Sequence, residues 1–215
     1  YAVLRPVCFE EYLSAMGETG ALEFYRRMPT PEYAHGILLD HFHKFTLLGG
    51  MPEIIEAYVQ HGDLQALGTI YRSLQESYKS DVDKYARNST MVQTLRHAID
   101  SLPSEAGQRI KFEGFGKTNY SSREMGEALR TLEKALLLNL LYPTTQTDFP
   151  LMPNMRKSPR LQILDTGLLN FYSGLQPQLI LLKDLNAIHG GRVIEHMVGQ
   201  EILASSFNID HKLQW

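Results

Sequence analysis

Apolar side chains recur at the spacing of an α-helix through much of the 215-residue chain, and this periodicity restricts its fold most. The clearest case follows Thr30, which is predicted as the N-cap of a helix with Pro31 in its first turn. Its apolar stripe continues to Leu48, and Gly49-Gly50 is predicted to end it. Because no strand-like alternation occurs in the first 70 residues, this region is predicted to be helical.

The pattern changes in the middle of the chain. A predicted helix at about 90–102 is followed by a connector and then by a capping box, in which Ser121 and Glu124 start another helix. Residues 138–142 are a candidate strand. Helix, connector, capped helix and strand is the order expected of a winged helix-turn-helix.

The last part of the chain is predicted to be α/β. Residues 161–165 alternate like a strand, and residues 192–206 form an amphipathic helix. A second strand-like alternation begins at 210–215 and stops at the last residue. Since the chain also starts at Tyr1 without an initiator methionine, we expect a fragment of a longer protein. The predicted fold class is mainly α with a small β component.

Composition excludes several classes of protein. The net charge of −3, from 21 basic and 24 acidic residues, predicts no strong overall electrostatic attraction to nucleic acid or to a membrane. The single cysteine, Cys8, excludes a disulfide framework or a zinc site built from several cysteines, and it fits a cytoplasmic location. The longest apolar stretches, 135–142 and 179–182, are far shorter than the roughly 20 residues of a membrane span.

Motifs for cofactor and metal chemistry are incomplete. Residues 114–118, GFGKT, match the end of a phosphate-binding loop, but the full pattern requires glycine where Lys111 stands. The neighbouring His41 and His43 face different sides of a helix, which argues against a shared metal. We therefore predict no catalytic residue set, no cofactor site and no metal site complete within this chain.

Two carboxylates on the predicted helix 192–206 are candidates for nuclease-like catalysis. Glu195 and Glu201 are its only acids. Glu201 lies on the apolar stripe with Met197 and Val198, where an unpaired carboxylate is costly. It either marks a metal-binding acid or pairs with a buried arginine or lysine.

A second group of residues is predicted to contact DNA phosphates near the capped helix and in the later loop. The alternative is an ordinary solvated surface, because Glu124, Glu127 and Glu133 lie on the same helix. The candidates are Lys117, Ser121, Arg123, Arg130, Arg156, Lys157 and Arg160.

Five segments together resemble prokaryotic AAA-type P-loop ATPases that carry a C-terminal domain of unknown function. They occur in the order found in that family and span most of the chain. The segments are RPVCFEEYL (5–13), LGGMPE (48–53), SYKSDVDKY (77–85), KSPRLQILDTGLL (157–169) and EHMVGQE (195–201).

The resemblance implies that an ATPase module, which binds ATP and Mg²⁺, precedes this chain and ends in an exit segment, 1–13. It implies a helical subdomain (14–70), a helical and winged-helix-like domain (71–148), and a truncated α/β domain similar to restriction endonucleases (149–215). Part of the nuclease centre in that fold lies on later strands, so neither ATP hydrolysis nor nuclease chemistry would be complete here.

The expected function is that of a regulatory or interaction region of the ATPase, non-catalytic by itself. Its expected partners are the upstream ATPase module and either duplex DNA or a protein, with no membrane. Two alternatives remain open at this point. One is a DNA-binding winged-helix module that acts without ATP, and the other is a fragment of a metal-dependent nuclease.

Overall fold

The computed structural model describes residues 4–177 and 191–205. These residues are mainly helical, with one two-stranded antiparallel sheet, which confirms the predicted class of mainly α with a small β component. The helices are α1 (Phe9–Ala15), α2 (Thr19–Arg26), α3 (His35–Leu48), α4 (Pro52–His61), α5 (Leu67–Asp81), α6 (Ser89–Glu105), α7 (Ser122–Lys134), α8 (Thr166–Tyr172) and α9 (Arg192–Ser205), and the strands are β1 (Leu138–Leu141) and β2 (Arg160–Ile163).

The chain folds into two compact units. Within the described residues, 4–72 and 165–205 form the first unit, and 73–164 form the second. The predicted strand start at 210–215 and the apolar stretch 179–182 lie outside the described residues. None of the helices in the described ranges is long and apolar enough to cross a membrane.

The first unit is built on aromatic packing between α1 and α3. The ring of Phe9 lies 5.5 Å from that of Phe42 and 5.6 Å from that of Phe45, measured between centroids. Helix α3 ends before Gly49, as predicted. Its predicted start is wrong, because the Thr30 hydroxyl donates back to the Arg27 carbonyl instead of capping a helix. A short 3-10 turn at Glu32–Ala34 precedes α3.

In the second unit, α6 packs against α7 and against the 3-10 turn Phe115–Lys117. Strand β1 then pairs with β2, with Leu138 opposite Ile163 and Leu141 opposite Arg160. The long connection between the two strands, residues 142–159, is called the hairpin loop below.

A short segment at 107–110 pairs with the other edge of β2. The backbone N–H of Gly107 donates to the Leu161 carbonyl at 2.9 Å, and that of Leu161 donates to the Gln108 carbonyl at 3.2 Å. An antiparallel bridge between Arg109 and Arg160 continues the pairing. β2 therefore lies between this edge segment and β1.

Candidate functional site

The seven residues predicted to contact phosphates all lie in the second unit. All are exposed except Arg160, which is half-buried. Lys117 ends the 3-10 turn before α7, Ser121 is the N-cap of α7, Arg123 and Arg130 lie on α7, Arg156 and Lys157 lie near the end of the hairpin loop, and Arg160 begins β2.

The turn that carries Lys117 packs closely onto α6. Gly116 has a φ of +60°, and a Cβ on it would collide with the Ser101 hydroxyl and the His97 ring. Its backbone N–H donates to the Glu105 carboxylate at 3.3 Å. Lys117 also adopts a φ of 60°, which few non-glycine residues accept. The segment resembling a phosphate loop is therefore a tight turn held against α6, with Lys117 exposed.

Helix α7 begins with the predicted capping box. The Ser121 backbone N–H and hydroxyl donate to Glu124 Oε2 at 2.9 and 2.7 Å, and the Glu124 backbone N–H donates back to the Ser121 hydroxyl at 3.3 Å. These bonds lower the pKa of Glu124, so the carboxylate stays charged. The Ser121 hydroxyl is thus used within the cap.

The two other acids on α7 also have partners. Glu127 lies 3.5 Å from the guanidinium of Arg87, and Glu133 accepts the backbone N–H of Leu140 at 3.0 Å. Glu133 therefore anchors β1 to α7, and the charge of Glu127 is balanced by a neighbouring cation.

Whereas the acids of α7 have partners, the exposed cations among the predicted phosphate contacts form no ion pairs within the described residues. Arg130 lies over the ring of Phe112, with its guanidinium carbon 5.7 Å from the ring centroid. Within the part of the chain that the structure describes, none of the five exposed cations forms an ion pair. We call these five residues the basic surface: Lys117, Arg123, Arg130, Arg156 and Lys157.

The nuclease candidates, Glu195 and Glu201, belong to the first unit. Glu201 on α9 accepts the backbone N–H of Phe9, the first residue of α1, at 2.8 Å. Burial raises the pKa of Glu201 to about 7, although the Phe9 N–H bond opposes that rise. Its partner is thus a backbone N–H at the start of a helix, and Glu195 is exposed on the same helix. Among residues 4–177 and 191–205, no three His, Cys, Asp or Glu side chains are grouped to hold a metal ion.

The most buried carboxylate in the first unit was not among the predicted site residues. Asp165 is the N-cap of α8, and its two oxygens accept the backbone N–H groups of Leu168 at 2.9 Å and Gly50 at 2.5 Å. Burial raises its pKa to about 6, while these backbone bonds oppose the rise. The sequence signal was an aspartate three residues before an apolar helical position, which is typical of an N-cap.

Further hydrogen bonds join α9 and the N-terminal segment to the same region. The Gln200 side-chain oxygen accepts the Thr166 backbone N–H at 2.9 Å and its hydroxyl at 3.2 Å. The Val7 backbone N–H donates to the Gly50 carbonyl at 2.8 Å. We call Asp165, Thr166, Gln200 and Gly50 the buried network. Its members come from three of the segments that carry the resemblance, and they join α8 and α9 to the turn that follows α3.

The fold and these two sets of residues define a mainly helical protein with a buried network in one unit and an exposed basic surface in the other. Residues 39–179 match a family model described as a domain of unknown function (DUF8612). Since the match covers more than half of the chain, the protein belongs to that family. No curated protein and no solved structure matches the chain significantly.

Proposed function

We propose that this chain is the regulatory and interaction region of an AAA-type ATPase, non-catalytic by itself, and that its second unit binds duplex DNA. The observation that carries the proposal is the basic surface. It has five exposed cations without ion-pair partners among the described residues. Two of them, Arg123 and Arg130, lie on α7, a helix whose acids have partners. Such cations match the phosphate groups that dominate protein affinity for DNA.

The order of elements in the second unit supports the same proposal. Helix α6, the edge segment, the turn, α7, β1, the hairpin loop and β2 follow one another as in a winged helix. In that class of protein the helix corresponding to α7 enters the major groove. Arg123 in the first turn of α7 and Arg130 two turns later would then face the DNA backbone.

The link to an ATPase rests on the resemblance described above. We place the exit segment, residues 1–13, between the upstream module and the first unit. Its residues from Phe9 onward lie in α1, and the Phe9 N–H donates to Glu201. Binding of ATP and Mg²⁺ upstream would act on the first unit through this segment. The proposed location of the protein is the cytoplasm. The ATP and Mg²⁺ sites themselves would lie in the upstream module.

The test is fluorescence anisotropy of a labelled duplex titrated with the full 215-residue chain at several salt concentrations. The triple variant Arg123→Gln/Arg130→Gln/Lys157→Gln removes three cations of the basic surface. The matched control, Arg27→Gln/Lys44→Gln/Arg72→Gln, removes three exposed cations of the first unit. Both variants change the net charge equally, so only the position of the lost charges differs.

For the wild type we expect log K to fall linearly with log salt, because bound cations displace counterions from DNA. Each lost phosphate contact makes this negative slope shallower by roughly 0.9. The triple variant should therefore bind at least about tenfold more weakly than the wild type and show a weaker dependence on salt. The control should bind like the wild type. Equal binding by both variants would contradict the proposal.

A further inference from the structure

The hairpin loop exposes four large apolar side chains between residues 149 and 155. Phe149 is 88% exposed, Met155 63%, Met152 59% and Leu151 38%. Exposed apolar side chains gathered in one segment indicate a surface that binds a partner, since contact of apolar surface with water is unfavourable.

The base of the hairpin loop is held by backbone bonds. The Asn154 N–H donates to the Pro143 carbonyl at 2.8 Å, and Thr144 forms an antiparallel bridge with Pro153. Beyond the tip, the Lys157 N–H donates to the Asn154 carbonyl at 3.0 Å. The apolar tip is therefore carried on an ordered base, and the cations Arg156 and Lys157 follow it directly.

Charge favours nucleic acid over a protein as the occupant. Residues 142–160 carry three cations, Arg156, Lys157 and Arg160, and a single acid, Asp148. The loop also belongs to the same unit as the cations of α7. Proteins that bend DNA from the minor groove combine Phe, Leu, Met or Pro wedges with flanking cations in this way.

We infer that the tip of the hairpin loop inserts Phe149 and Met152 into the minor groove, opens a base step and bends the duplex. This inference rests on the proposed DNA binding of the second unit. Arg156 and Lys157 would contact the phosphates on either side of the opened step. Flexible pyrimidine–purine steps such as TA should be preferred, because they unstack at the lowest cost.

The experiment uses a duplex of roughly 30 base pairs with a central TA step, a length at which a bend is measurable. Fluorophores at its two ends report bending by energy transfer, and 2-aminopurine at the step reports unstacking. The wild-type 215-residue chain is compared with Phe149→Ser/Met152→Ser. The matched control is Met28→Ser, which removes an exposed apolar side chain from the first unit.

We expect the wild type and the control to raise both signals. The double variant should lose both, bind about tenfold more weakly through the lost unstacking contacts, and keep the wild-type salt slope because its phosphate contacts remain. Asp148→Asn should tighten binding severalfold by removing the single acid of residues 142–160.

Two results overturn the inference in different ways. Salt-dependent binding by the wild type without bending, or bending that the double variant retains, would show that the loop is no wedge, while DNA binding stands. The tip would then serve a protein partner. Absence of salt-dependent DNA binding by the wild type would instead refute the proposed function itself.

Discussion

Gly49 illustrates how one residue determines the geometry around the buried network. It ends α3 with a φ of +73°, in the left-handed region that favours glycine. A Cβ at this position would collide with both carboxylate oxygens of Asp165 and with the backbone nitrogen of Gly167. Both the backbone conformation and the lack of space therefore require glycine here.

We predict that Gly49→Ala lowers the free energy of unfolding by about 3 kcal/mol, through backbone strain together with overpacking. Gly62→Ala is the matched control, because Gly62 also has a positive φ, +65°, but open space around it. The control should lose only about 1 kcal/mol from backbone strain. Urea unfolding of the two variants measures both losses, and equal losses would mean that close approach to Asp165 contributes nothing.

At the scale of elements, the start of α7 is stabilised by contacts within four residues. The Ser121 hydroxyl and the Glu124 side chain each satisfy a backbone N–H that the helix itself leaves unpaired. The neighbouring Ser122 is exposed in the first turn and takes no part in the cap. The cap thus defines where the helix presenting Arg123 and Arg130 begins.

Ser121→Ala should lower the free energy of unfolding by about 1 kcal/mol, the usual cost of losing an N-cap. Ser122→Ala should have almost no effect, since alanine is a good helix former and no cap is lost. Thermal and chemical unfolding of both variants provide the measurement. A loss of equal size for both serines would show that the cap does not stabilise α7.

At the scale of the whole molecule, buried carboxyls make stability depend on pH. Because burial raises the pKa of Glu201 from 4.5 to about 7, the folded protein holds this proton more tightly than the unfolded chain. The contribution of Glu201 to stability is therefore complete below pH 4.5 and is lost as pH rises to about 7. Asp165 acts in the same direction between pH 3.8 and about 6. His196, with a pKa lowered by burial to about 4, acts in the opposite direction.

We predict that Glu201→Gln becomes more stable relative to the wild type as pH rises from 4.5 to about 7. The glutamine oxygen still accepts the Phe9 N–H but carries no charge that burial penalises. Unfolding in urea at pH 5 and pH 8 measures the difference in free energy of unfolding between the two proteins. Because both proteins contain Asp165 and His196, the effects of these two residues drop out of that difference. Glu195→Gln, exposed on the same helix, is the control and should show a smaller change. A pH-independent difference for Glu201→Gln would contradict the role of burial.

The sequence by itself determined the features that depend on near neighbours. Helical periodicity, the capping box of α7 and the glycine that ends α3 predicted the mainly helical class, because each involves residues only a few positions apart. Exposure of most of the predicted DNA contacts could also be predicted, since charged side chains remain in water unless paired. Local patterns were less reliable at helix ends: α6 continues to Glu105, three residues beyond its predicted end near residue 102, and contains Pro103.

Only the tertiary structure decided the partners of the buried groups. Glu201 meets the N–H of Phe9 across 192 positions of sequence, and Asp165 meets that of Gly50 across 115. No local pattern encodes such pairs, because they form only when packing brings distant segments together and burial makes an unpaired polar group costly. Tertiary contacts also give Glu127 and Glu133 on α7 their partners, Arg87 and the Leu140 N–H. The cations of the basic surface are therefore left without ion pairs to these acids.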